Sequence, residues 1–167
     1  NSTVVNRIRL LSAIDMSISK SVVPPILNSG DSLTMTIILQ NAPGGATANP
    51  GIWRDTLPTT FTYVPSTLVC TATGGAICGP VTYNPTTRVL EQINTNMPSN
   101  SQIIVTFKGP VQNLYTTTQT TSARAYQPCV DCVPATNFTQ TNFQINGPCD
   151  TVRAGLDGDT IICDNSS

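Results

Sequence analysis

From Gly30 to Asn41 the chain reads GDSLTMTIILQN. Leu33, Met35, Ile37 and Leu39 alternate with Thr34, Thr36 and Gln40, and Ile38 is the one break in the pattern. A period of two collects the apolar set on one face, which predicts a half-buried antiparallel strand whose wet face carries β-branched threonine in place of charge. Similar runs are expected at 14–21, 52–56, 61–64, 68–73, 76–83, 89–94, 102–108, 116–126 and 137–145. Turn chemistry separates them: APGGATANPG at 42–51, TGG at 73–75, YNPTTR at 83–88 and NMPSNS at 96–101. Helical periodicity is absent. Roughly nine or ten short strands at this spacing predict an all-β fold, an antiparallel β-sandwich with Greek-key connections; a closed barrel or jelly roll is the alternative.

Composition narrows the classes. Charged residues are 10% of the 167, against about 25% in an average domain. Threonine alone is about one residue in six. The net charge of −1 supplies no basic field for nucleic acid or an anionic membrane, and no run is long and apolar enough to span a bilayer. Six cysteines, a neutral surface and only two lysines, Lys20 and Lys108, point to a disulfide-bonded extracellular protein. The expectation is a mature exported product or a piece of a longer one.

Catalysis is poorly supplied. With no histidine there is no Ser-His or Cys-His couple and no histidine zinc site. Glu91 stands isolated, and Arg54 beside Asp55 reads as a surface or turn pair. No catalytic, cofactor or metal residue is assigned, because Asp157, Asp159 and Asp164 lack the spacing of a calcium loop. Cys70 and Cys78 flank TATGGAI and are expected to bridge a hairpin with Gly74-Gly75 at its tip. Cys129 and Cys132, in QPCVDCVP, read as a local staple on a loop, and Cys149 and Cys163 pair by elimination, folding the last segment back on itself. A ligand-binding module using Trp53, Tyr83 or Tyr115 is the alternative function, with core packing the simpler role for those rings. A hydrolase built on aspartates is a remoter one.

At this point a resemblance becomes legible. DMSISKSVVPPILNSGDSLTMTIILQN followed by RDTLPTTFTYV resembles the bacterial surface-protein repeat family known as domain of unknown function eleven. The matching residues include Asp15, Ser17, Ile18, Lys20, Pro25, Gly30, Asp31, Thr34, Thr36, Asn41, Asp55, Thr56, Leu57, Pro58, Phe61, Tyr63 and Val64. TTSARAY and NFTQTNFQI echo its closing strands. The resemblance implies an immunoglobulin-like sandwich over residues 15–146, used as a building block of long extracellular adhesins and filaments, with no catalytic residues to carry over. RAGLDGDTIICDNSS is similar to the opening of repeats in very large adhesins of gliding Bacteroidetes. Covalent glycans fit this setting: Asn137-Phe-Thr matches the N-glycan acceptor pattern, as do Asn1 and Asn165. Ser32, Thr56, Thr151 and Thr160 follow aspartate and precede an apolar residue, like the O-glycan acceptors of Bacteroidetes. Thr116 to Thr118, Thr120 and Thr121 offer further hydroxyls on an exposed strand.

The ends complete the expectation. Residues 1–14 form a linking strand: Ile8, Leu10 and Ile14 share one face, Arg7 and Arg9 point to the other, and Val5, Ile8, Leu10 and Ile14 are the apolar residues expected to couple it to a neighbour. Fully extended, such a segment reaches about 46–50 Å, enough to cross a neighbouring sandwich. Donated to an adjacent copy, it builds a head-to-tail homopolymer. Residues 147–167 form a disulfide-clipped segment leading to the next unit.

Overall fold

The computed structural model describes residues 14–94, 96–126 and 137–148, together with the backbone of 151–154 and 161–164. Ten strands make two facing sheets. Met16–Val23 (β1), Ser32–Asn41 (β3), Ser101–Pro110 (β8) and Val69–Thr73 (β5) form a four-stranded sheet in the order β1-β3-β8-β5. Ile26–Asn28 (β2), Phe138–Asn146 (β10), Thr117–Tyr126 (β9), Gly51–Thr56 (β4), Val89–Asn94 (β7) and Val81–Asn84 (β6) form a six-stranded sheet in the order β2-β10-β9-β4-β7-β6. All these pairings are antiparallel except β2 with β10. Thr151–Ala154 (β11) and Ile161–Asp164 (β12) pair with each other as a separate antiparallel ribbon. The sandwich expected from the alternation is the fold observed.

The core lies between the sheets. Leu33, Met35, Ile37 and Leu39 of β3 are fully buried, as are Ile103, Val105 and Phe107 of β8. From the six-stranded sheet Trp53, Leu90, Ala123, Phe143 and Ile145 meet them. Ile38, the break in the pattern, lies on the outer face opposite Ile104 in register, a cross-strand apolar pair beside the Thr36–Thr106 pair.

Three expectations are corrected. Residues 61–64 do not form a regular strand. They run beside the end of β8, with Thr62 N donating to the Pro110 carbonyl at 2.9 Å and Phe61 bridging Val111. At this crossing the Arg88 guanidinium donates to the carbonyls of Leu57, Pro58 and Phe61, taking up backbone acceptors that no sheet partner among the described residues reaches. Residues 68–73 and 76–83 do not form a hairpin either. Gly74 and Gly75 make the tight turn, with φ of 65° and 80°, but β5 joins the four-stranded sheet and β6 the six-stranded one. Finally, β2 was not expected, since Pro24 and Pro25 interrupt the alternation; there the chain leaves β1 and crosses to the other sheet.

Candidate functional site

Three constellations stand out. The first is buried. Lys20 on β1 reaches between the sheets to Asp55 on β4, with Nζ 2.5 Å from Oδ1, and also donates to Thr121 Oγ1 on β9. Both side chains are 0% exposed. Burial pushes the Asp55 carboxyl above its ordinary range and the Lys20 ammonium below its own; in each case the facing partner opposes the shift. Asp55 Oδ2 has no hydrogen-bond partner among the described residues. Water and substrate have no access to this cluster, so it works as an inter-sheet clamp. Arg54 and Asp55 are therefore not a pair: consecutive residues of a strand face opposite sides. Thr121, expected on an exposed face, points inward with 1% exposure.

The second is the Cys70–Cys78 disulfide, with Cα atoms 6.3 Å apart. The pairing is as expected but its place is different. Cys70 lies on β5 and Cys78 on the segment leading to β6, so the bridge joins the two sheets at one seam. Gln92, fully buried on β7, packs beneath it. Its Nε2 donates to the Gly79 carbonyl at 2.8 Å and faces Cys70 Sγ at 3.4 Å, while its Oε1 accepts from Trp53 Nε1 at 2.7 Å. Trp53 is thus a core residue, and Tyr83 packs on Tyr63 with ring centroids 5.1 Å apart.

The third is on the outer face of the six-stranded sheet. Arg54 lies opposite Glu91 on one side and Arg124 on the other, and Arg124 lies opposite Phe138. Arg54 donates to Glu91, which is therefore not isolated, and sits over the Tyr126 ring at 5.0 Å; Arg124 sits over the Phe138 ring at 5.1 Å. A shallow groove of about 260 Å³ runs between these groups.

Of the other expected residues, Ile14 is buried in the core of its own molecule, so its side chain is not free to insert into a neighbour. Val5, Ile8, Leu10, Cys129, Cys132, Cys149, Asp157, Asp159 and Thr160 lie outside the described residues. Thr151 and Cys163 are placed by backbone alone, in β11 and β12. Ser32 and Thr56 are exposed, and Asn137 is half-buried. Among the described residues no three acidic or cysteine side chains converge as a metal site, and no helix is long and apolar enough to cross a membrane. Sequence reasoning missed Gln92, Arg88 and Arg124: Arg88 stood at the end of a stretch read only as a turn, and Gln92 and Arg124 inside stretches read only as strands.

No protein-family model and no curated protein matches the sequence significantly. Solved structures do match in fold. The collagen-binding domain of a Staphylococcus aureus adhesin aligns with a TM-score of 0.51 at 11% identity, covering 81% of this chain and 99% of that one. BcpA, the major pilin subunit of Bacillus cereus, aligns with a TM-score of 0.56 at 8% identity, covering 80% of this chain and 40% of the pilin. The CARDB domain of a Pyrococcus furiosus protein, solved with di-metal ions, aligns with a TM-score of 0.54 at 9% identity, covering 86% and 99%. The architecture is thus one shared with bacterial adhesin and pilin domains.

Proposed function

We infer that this chain is a non-enzymatic, extracellular β-sandwich unit of a filament or surface adhesin, of the surface-repeat type its sequence resembles. Units join head to tail through an N-terminal strand donated to the adjacent copy. The observation that carries this reading is the polarity of the fold. β1 begins at the end of the sandwich where Phe138 begins β10, since β2, which follows β1, pairs in parallel with the far end of β10. The chain therefore enters the sandwich at one pole and leaves it after Asn146 at the other, as an end-to-end chain of units requires. The adhesin and pilin folds support the same class, and two acids of the sandwich, Asp55 and Glu91, are engaged by Lys20 and Arg54.

In this reading Ile8 and Leu10 are the apolar inserts and Arg7 and Arg9 the wet face, with Val5, on the parity of the arginines, a further apolar contact at the leading end of the strand. The exposed Ser32 and Thr56 and the half-buried Asn137 are the glycan acceptors to examine first. Negative-stain microscopy of native material should show fibres with a regular axial repeat. Ile8→Asp with Leu10→Asp should abolish them while circular dichroism stays that of a folded sandwich. Fibres from the double variant would rule out strand donation.

A further inference from the structure

The outer-face arginines need an occupant. Arg54 and Arg124 face each other directly in register, an arrangement in which like charges repel. Glu91 is engaged by Arg54, and Arg124 has no carboxylate partner among the described residues. Tyr126 and Phe138 flank the two guanidiniums and stay 40% and 42% exposed; Ile93, on the same face, is 43% exposed. This cationic, aromatic patch lies at the pole where the chain enters, beside Ser17 and Ile18 of β1.

The opposite sign leaves from the other pole. After Gly147 the chain carries Asp150, Asp157, Asp159 and Asp164 against Arg153 alone, a formal side-chain charge of −3, whereas residues 1–13 carry Arg7, Arg9 and no acid. From Phe138 to Gly147 the chain advances about 30 Å, so the tail departs from the pole opposite the patch, and stacking molecules end to end brings that pole against the patch of the next.

Resting on the filament reading, we propose that the acidic C-terminal segment of one copy docks on the Arg54–Arg124–Tyr126–Phe138 patch of the next. Asp157 and Asp159, in the connection between β11 and β12, meet the guanidiniums. This is a second, electrostatic contact of the same polarity as the donated strand. It steers the encounter and fixes which end meets which, and it weakens with salt because the patch is exposed.

The test is a charge exchange in the full chain. Arg124→Glu alone, and Asp157→Lys with Asp159→Lys alone, should each raise the concentration needed for assembly at low salt by about tenfold or more, the effect of losing one charge-paired contact. An equimolar mixture of the two variants should assemble like wild type, because each tail then finds a complementary patch on the other variant. Wild-type assembly by Arg124→Glu alone, or no complementation in the mixture as expected for a tail folded onto its own patch, overturns the contact. Loss of fibres in Ile8→Asp with Leu10→Asp would leave the filament reading intact in that case. Arg124→Glu that assembles normally but no longer binds polygalacturonate would reassign the patch to acidic glycan. A wild type that never assembles removes both ideas.

Discussion

Lys20 and Asp55 sit 35 positions apart, and Lys20 and Thr121 sit 101 apart, so no local pattern announces that they meet. A buried ion pair of this kind is costly to break and weak as net stabilisation, because desolvation offsets most of the attraction. Lys20→Ala should therefore cost about 3–5 kcal/mol in urea unfolding, whereas Lys20→Met with Asp55→Leu should be close to neutral. Removal of the amine also sets a pH dependence. Asp55 is already pushed upward by burial and in Lys20→Ala loses the charge that opposes the shift. Its folded pKa then lies above its unfolded one, so the folded state binds more protons. Stability is retained in acid and falls as pH rises through the folded value. The variant should be more stable relative to wild type at about pH 4 than at about pH 7; the reverse order would show that Asp55 is not the buried acid left behind. The lysine and aspartate were visible in the sequence within stretches that resemble a surface-protein repeat, but their partnership was not.

Element by element, alternation foretold the faces and not the neighbours. Leu33, Met35, Ile37 and Leu39 were assigned inward and are inward, since side-chain direction follows from the pleat alone. The partner of β5 was misjudged because a tight Gly-Gly turn reverses the chain without obliging the outgoing residues to pair with the incoming ones. Ile77 bridges Asn96, and Gln92 and Asn94 take the carbonyl and amide of Gly79, which commits that segment to the six-stranded sheet. The disulfide accordingly ties sheet to sheet. Cys70→Ser with Cys78→Ser should lower stability by about 2–3 kcal/mol in denaturant titration and leave the strands in place. Gly109 marks where the 61–64 crossing presses on β8, since a methyl there would lie 1.8 Å from the Thr62 carbonyl oxygen. Gly109→Ala should destabilise by about 2 kcal/mol or more, with the Phe61–Phe107 and Tyr63–Phe107 ring contacts disturbed in near-ultraviolet dichroism.

For the whole molecule, entry and exit at opposite poles are what the proposed filament asks of each sandwich. Deleting residues 1–13 should leave the two sheets folded, with unchanged far-ultraviolet dichroism, and the protein monomeric by sedimentation at concentrations where the full chain assembles. Persistent fibres would place the coupling elsewhere. The sequence by itself determined the all-β class, the inward and outward faces and the Cys70–Cys78 partnership, because a period of two, turn residues and a short loop between cysteines act over a few residues. Only the tertiary structure decided which sheet each strand joined, that Lys20 closes on Asp55 and Thr121, and that Arg54 stands against Arg124. Those contacts depend on register between strands far apart in the chain, and register is settled when the two sheets bury a common core.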